Sequence, residues 1–464
     1  MSNPNHNGHN GRLPRNGRAN GKRYAHVVGW GKYLPEKIRT NAEIARMVDT
    51  SDEWIQQRTG IRERRIADPK ETASTMALKA AKEALWRAKL SPSDVELVIV
   101  ATSTPDYIFP ATASLVQDAL GASKAGAFDL SAACAGFGYA LGVASSMVAS
   151  GAVDNALVIG SEVYSRLVNW NDRGTCILFG DGAGAFVLKG SDTPGGVLSY
   201  KLGSDGSGSD LLMVPGGGSR HPLSQEVLDQ NLQFVKMDGQ AVFKFATRVM
   251  GKATKEVCEA AHLPLEKIDL FIPHQANLRI ISTASKFLNL PDEKVMVNLQ
   301  KYGNTSAASI PIAFCEAVEE KRVKPGDHLV LVSFGGGLSW AAVAMQFETA
   351  IPSDERKISD EVKDWFNYNL ASARSVVSHS MHHFNGVFGR TKNKLQKKQF
   401  EPKPEPKSES KLEAKKQFEP KPEPKSESKL EALKVEDKTP KKLAPPLEKE
   451  ASKSALPTLK RPPT

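Results

Sequence analysis

Between residues 24 and about 349 the chain alternates short apolar runs with longer stretches of helical periodicity. The runs VELVIVATS (95–103), AGAFDLSA (125–132), NALVIGSE (155–162), AFVLKG (185–190), IDLFIPH (268–274) and HLVLVSF (328–334) read as strands. Between them, ETASTMALKAAKEALWRAK (71–89) and EVCEAAHL (256–263) read as helices. Strands that are apolar throughout, rather than at alternate positions, belong to sheets covered on both faces, which makes the fold α/β. The stretch AGFGYALGVASSMVASG after Cys134 is small or apolar on every side, so its helix is expected to be buried all round. Together these patterns predict a layered core in which sheets flank buried helices.

Outside this region the pattern fades. Residues 1–23, rich in Asn, Gly and Arg, are expected to be disordered. Residues 350–390 are expected to be partly helical. From 391 Lys, Glu, Pro and Ser dominate, and KKQFEPKPEPKSESKLEA occurs twice in tandem, at 397–414 and 415–432. Its PKPEPK core favours extended polyproline II and buries almost nothing, so 391–464 reads as a disordered linker or interaction tail with no partner specified.

The 464 residues carry a formal net charge of +10, but that number describes the ends of the chain. Residues 1–23 hold +5 and those beyond 350 hold +8, which leaves −3 for the patterned region and argues against a nucleic-acid-binding fold. Cys134, Cys176, Cys258 and Cys315 are too scattered for a disulfide scaffold or a CxxC metal site. No apolar run is long enough to span a membrane, and the polar N-terminus lacks the apolar segment of a secretory signal. A cytoplasmic location is expected.

Three residues stand where chemistry is done. Cys134, in DLSAACAGFGYAL, lies where a strand gives way to the buried helix. The positive end of a helix dipole favours a thiolate, and free N–H groups there can hold an oxyanion. His274, in IPHQANLRI, ends a strand, the edge at which α/β folds collect ligands. Asn304, in KYGNTSAAS, sits in a turn before another helix. The glycines of SFGGGLSW (333–340) let a substrate approach the main chain, while GDGAGA and GSDGSGSD lack the Lys-Ser/Thr of a phosphate loop. Cys, His and Asn suit a papain-like hydrolase or a carbon–carbon condensing enzyme. The hydrolase reading lacks the local sequence around its nucleophile.

Residues 24–349 resemble the bacterial 3-oxoacyl-[acyl-carrier-protein] synthase III family of the thiolase superfamily. The resemblance runs through VDTSDEWIQQRTGIRERR (48–65), SAACAGF, NDRGTCILFGDGAGA (171–185), PHQANLRI, GNTSAAS and FGGG, in that order. It implies the five-layered αβαβα thiolase-like fold in two similar halves, 24–195 with the cysteine and 196–349 with His and Asn. It implies an acyltransferase that starts fatty acid synthesis: Cys134 takes the acyl group of an acyl-CoA primer, acetyl-CoA being the expected one. Malonyl-acyl-carrier protein (malonyl-ACP) then loses CO2 and attacks that thioester to give 3-oxoacyl-ACP. The alternative is a related condensing or acyl-transfer enzyme of secondary metabolism. A non-decarboxylating thiolase is disfavoured because FGGGLSW lacks its second cysteine, and an intact Cys134, His274 and Asn304 argue against a mere scaffold.

The same resemblance implies the remaining site residues. His274 and Asn304 would stabilise the enolate, and the backbone N–H groups of Cys134 and Gly336 would form the oxyanion hole. Thr50, Trp54, Arg58, Arg173 and Asn277 would bind CoA, with the adenine held between Trp54 and Arg173. Phe109, Tyr164 and Phe179 would line the acyl pocket, Phe109 reaching that of a partner subunit in a homodimer. Lys244, Arg279 and Lys286 would receive the acidic carrier protein. No metal and no cofactor are implied, CoA thioester being a substrate.

Overall fold

The computed structural model describes residues 22–349; residues 1–21 of the N-terminal extension, the segment 350–390 and the repeat-bearing tail 391–464 lie outside the described residues. Each expected strand is present. Strands β1 (Tyr24–Tyr33), β2 (Leu97–Ala101), β3 (Gly126–Leu130), β4 (Asn155–Glu162) and β5 (Gly182–Ser191) form one sheet in the order β1-β5-β4-β2-β3. Strands β6 (Gly196–Ser204), β7 (Leu270–Pro273), β8 (His328–Gly335) and β9 (Ser339–Gln346) form a second, in the order β7-β8-β9-β6. Val295 adds a parallel bridge to Phe271 at the edge of this second sheet.

With that bridge the two sheets repeat each other. The order Val295-β7-β8-β9-β6 matches β3-β2-β4-β5-β1, with parallel and antiparallel neighbours in the same places. Of the helices, α1 (Asp52–Thr59) carries Trp54. Helices α2 (Ala73–Arg87) and α3 (Thr112–Leu120) cover the outer face of the first sheet, and α4 (Gly136–Ala149) lies between the sheets. Helices α5 (Gly239–Ala260) and α6 (Leu278–Phe287) belong to the outer face of the second sheet, and α7 (Ser309–Glu319) joins α4 in the central layer. The result is αβαβα.

The strands explain the layering. Side chains alternate across a strand. In β2, Ile99 joins the central core with Phe137, Leu141 and Phe314, while Val98 and Val100 join Met76, Ala80 and Val116 on the outer side. In β8, Leu329 and Leu331 point to the centre and Val330 and Val332 to the cluster of Val249, Met250 and Ile281. Burying both faces removes any polar side, which is why these strands read as continuous apolar runs.

One helix differs from expectation. EVCEAAHL is not a separate helix but contributes the last turns of α5, which ends at Ala260, ahead of His262 with φ 53°. The earlier turns, GQAVFKFATRVMGK, interrupt good helix formers with two glycines, two phenylalanines and three β-branched residues, which blurs the helical signal. Tertiary burial of Val242, Phe245, Ala246, Val249 and Met250 on one face secures them.

The repeated topology places two tight turns at the same point in each half, ahead of the two central helices. The turn Ala133–Ala135 precedes α4 and the turn Ser306–Ala308 precedes α7. Each opens on a left-handed residue, Ala133 at φ 47° and Ser306 at φ 50°. Close approach needs a glycine here: a Cβ on Gly160 would lie 2.4 Å from the Ala307 carbonyl oxygen. Cys134 and Asn304 thus arrive together because the halves are copies.

Candidate active site

Cys134 occupies the turn before α4 and is buried. Burial pushes its thiol up to about 12, and the nearby Glu162 carboxylate works in the same direction against hydrogen bonds with Ser306 and Asn304. The thiolate expected from the helix dipole is therefore not the resting form. The dipole is the weaker influence because the sulfur sits in a low-dielectric core with an acid beside it. The floor of the site is a protonated thiol.

Asn304 is stapled into the opposite half. Its N–H donates to the Leu178 carbonyl (2.8 Å) and its carbonyl accepts from Gly180 N–H (3.0 Å). Its side-chain Oδ1 accepts from Ser306 N–H at 2.8 Å. With the oxygen so held, Nδ2 is the end left to donate.

His274 follows β7, its N–H donating to the Val332 carbonyl at 2.7 Å. Its Nδ1 is 2.6 Å from Ser309 Oγ, and its buried Nε2 has no partner. Nδ1 is the partner of the buried Ser309 hydroxyl among the described residues; assigning the hydroxyl as donor, which satisfies its hydrogen, puts the ring proton on Nε2. Burial pulls the imidazole down to about 3, which keeps it neutral. Phe334 stands edge-on to the ring at 5.3 Å. The next residue, Gly335, lies so close to Cys134 that a Cβ there would come within 2.6 Å of the Cys134 nitrogen. Strand β8 therefore connects the imidazole to the thiol, and Ser309 connects it to the Asn304 turn.

Two polar residues that no motif announced complete this floor. Glu162, the last residue of β4, is fully buried. Its Oε1 accepts from Ser306 Oγ (2.9 Å), and its Oε2 accepts from Ser103 N–H (3.0 Å) and Thr104 Oγ1 (2.8 Å). Burial raises its carboxyl to about 7. In the sequence Glu162 reads as the end of a strand and Ser306 as a turn residue; only the fold brings both to Cys134. Against the same floor Tyr164 stacks on Phe179, with ring centroids 4.6 Å apart, and both are buried.

A second group of candidates lies together around α1. Trp54, on α1, is approached by two guanidinium groups, Arg173 at 4.9 Å and Arg58 at 5.4 Å from its ring centroid. Arg173 also donates to the Asp49 carbonyl at 2.9 Å, beside Thr50, whose buried Oγ1 has no partner. Asn277 caps α6 by accepting from Arg279 N–H and donates to the Arg58 carbonyl at 3.0 Å. Lys244, Arg279 and Lys286 are exposed on α5 and α6, which pack together. Arg248, Lys252 and Lys255 extend the basic face of α5 beyond what motifs indicated. Phe109 is not at this chain's own floor. It is 84% exposed, with Tyr107 and Ile108, on the loop ahead of α3.

Comparison with known proteins decides the family. Residues 128–206 match the family model described as 3-Oxoacyl-[acyl-carrier-protein (ACP)] synthase III, and residues 258–347 match its C-terminal model. A beta-ketoacyl-[acyl-carrier-protein] synthase III of Symbiobacterium thermophilum is 55% identical over 321 residues, 69% of this chain and 97% of that protein. The protein of the same name from Roseiflexus sp. (strain RS-1) is 51% identical over 324 residues, 70% of this chain and 98% of the relative. The crystal structure of 3-oxoacyl-[acyl-carrier-protein] synthase III from Aquifex aeolicus VF5 matches with TM-score 0.65 and 48% identity, covering 70% of this chain and all of that one. The chain belongs to the beta-ketoacyl-[acyl-carrier-protein] synthase III family.

A buried cation anchors the strap that holds Asn304. Arg64 is fully buried, its Nη1 donating to Asn41 Oδ1 (2.9 Å) and the Arg39 carbonyl (3.1 Å), and its Nη2 to the Ile177 carbonyl (2.7 Å). Burial lowers it to about 10, so it stays charged at neutral pH. Arg64→Met leaves two buried acceptors and one part-buried carbonyl without the guanidinium, at ~1 kcal/mol each. Urea unfolding should therefore show a loss of about 3 kcal/mol, and an unchanged midpoint would contradict this role for the guanidinium.

Proposed function

We propose that this protein loads an acyl group from acyl-CoA onto Cys134 and condenses it with malonyl-ACP, releasing CoA and CO2. It is an acyltransferase that initiates fatty acid synthesis. A soft sulfur nucleophile suits thioester exchange. In the second stage carboxylate loss places negative charge on the malonyl thioester oxygen. The N–H of His274 Nε2 and the amide of Asn304 Nδ2 donate to that oxygen. The observation that carries this reading is the fixing of both side chains from behind, by Ser309 and by Ser306 N–H, which leaves each with a donor to spare. The backbone N–H groups of Cys134 and Gly336 hold the other developing oxyanion, that of the acyl group on sulfur.

The remaining roles follow the same reading. Adenine enters between Trp54 and Arg173, planes suited to stacking on a base, and Thr50, Arg58 and Asn277 meet the rest of CoA. Tyr164 and Phe179 bound the acyl pocket, and their stacked rings favour a short primer such as acetyl-CoA. Lys244, Arg279 and Lys286 receive the acidic carrier protein. A second copy of the chain covers β3, an edge strand with Phe128 exposed, together with Tyr107, Ile108 and Phe109, so that Phe109 closes the partner's pocket. The reading calls for no metal or cofactor, and no helix among the described residues is long and apolar enough to cross a membrane. The secondary-metabolism alternative has a neighbour in the priming beta-ketosynthase of the R1128 polyketide pathway, at 37% identity and TM-score 0.67, below the identities of the synthase III relatives above.

The test is the full reaction with purified components. Acetyl-CoA and malonyl-ACP together should yield CO2 and 3-oxoacyl-ACP in equal amounts. Acyl transfer without CO2 release would contradict the condensation.

A further inference from the structure

The acylation of Cys134 needs a place for the thiol proton, and the groups usually considered for it do not serve. The sulfur rests as a thiol, and the imidazole of His274 is held neutral with its own proton on Nε2. Neither the dipole nor that ring takes the proton. What the sulfur does have beside it is the Ser306 hydroxyl, which donates its hydrogen to Glu162 Oε1 at 2.9 Å. The other carboxylate oxygen is committed to Ser103 N–H, Thr104 Oγ1 and, at 3.4 Å, Thr102 Oγ1. Of the three hydroxyls that donate to this carboxylate, Ser306 is the one that also stands beside Cys134.

Resting on Cys134 as the nucleophile, we propose that Glu162 stores the Cys134 proton through Ser306 while the enzyme carries its acyl group. As sulfur attacks the acyl-CoA carbonyl, the S–H proton passes to Ser306 Oγ and the Ser306 proton to Glu162 Oε1. The S–C bond to the acyl group forms, the bond to CoA sulfur breaks, and CoA leaves as a thiolate that solvent protonates. Malonyl-ACP then meets a neutral carboxylic acid rather than a second anion. That matters because two negative charges close together in a dry site repel strongly. When the carbanion displaces Cys134, the thiolate takes the proton back along the same path. Over the whole cycle one proton is taken up from solvent, matching the one that decarboxylative condensation consumes.

The groups facing the carboxylate support the assignment. Thr102, Ser103 and Thr104 come from the end of β2, Cys134 from the turn before α4, Tyr164 from the segment after β4, and Ser306 from the turn before α7. Of these Cys134 and Tyr164 titrate, and both are held well above neutrality by burial. Glu162, brought to about 7, is the group that changes charge near neutral pH. Its raised value means that acylation speeds up as pH rises through about 7 and the carboxylate forms, and slows below it. Glu162 acts through Ser306 and is a positioning residue for the proton, not a group that touches substrate.

The experiment isolates the first half-reaction, mixing enzyme with acetyl-CoA alone and following the burst of CoA together with the acetyl group on the Cys134 peptide. Glu162→Gln keeps the shape but turns its amide nitrogen toward Ser306, because the backbone N–H of Ser103 requires the oxygen. The burst rate should fall about 100-fold, the size typical of a lost proton acceptor. The inflection near neutral pH should vanish while the KM for acetyl-CoA holds. Ser306→Ala should reproduce the loss. Wild-type acylation in mixed H2O and D2O should show two protons in flight, a readout independent of how well any variant folds. An E162Q burst at the wild-type rate with the wild-type pH profile, or one proton in flight, overturns the relay and leaves Cys134 as nucleophile. No acetyl group on Cys134 in the wild type overturns both.

Discussion

Cys134→Ala should abolish acyl transfer from acetyl-CoA, with CoA release falling to the rate of uncatalysed hydrolysis. The other cysteines offer no substitute. Cys176, Cys258 and Cys315 are all buried, with thiols raised by burial, and none stands at the start of a central helix. The fold should survive, since Cys134 packs between two turns fixed by their own backbone bonds and the change removes one sulfur. Thermal unfolding of the variant close to wild type, with no CoA burst, is the expected pair of results. An undiminished burst would mean that another nucleophile carries the acyl group.

His274→Ala and Asn304→Ala should separate the two stages. Each removes a donor aimed at the thioester oxygen of malonyl-ACP, and losing one preorganised donor of this kind costs about 3–4 kcal/mol, or 10²–10³ in rate. Acetyl transfer to Cys134 should continue, because neither donor takes the thiol proton. A quench-flow experiment would therefore find acyl-enzyme accumulating in both variants while CO2 release drops at least 100-fold. Equal losses in both stages for His274→Ala would assign the imidazole to the thiol instead. The pH dependence should not come from this ring. Its value near 3 lies below its ordinary one, so it supports folding above about pH 6.5, and that support fades as pH falls from there toward 3.

Much of this was legible before the fold was known. Both central helices, the strands around them and the three residues at their ends follow from runs of apolar residues broken by Cys134, His274 and Asn304. Such signals are local: a buried strand must be apolar throughout, and a residue at its end must be polar for a reason. The polarity of Glu162 at the end of β4 was equally visible, yet its meaning was not. A carboxylate is read as surface unless its partners are known, and Ser306 lies 144 positions away. The thiol shows a second limit. Its place beside a helix could be read from sequence, but the depth of burial that decides its protonation comes from both sheets at once. Arg64 looks like one more charge in Arg62-Glu63-Arg64-Arg65, and only the topology gives it carbonyl partners at Arg39 and Ile177.

The most direct measurement is a crystal structure of the acetylated enzyme with a non-decarboxylating malonyl thioester analogue bound. The analogue's thioester oxygen should lie about 3 Å from both His274 Nε2 and Asn304 Nδ2, with the acetyl group on Cys134 facing the malonyl carbon. An oxygen held by neither nitrogen, or an acetyl group found on any other residue, would contradict the account.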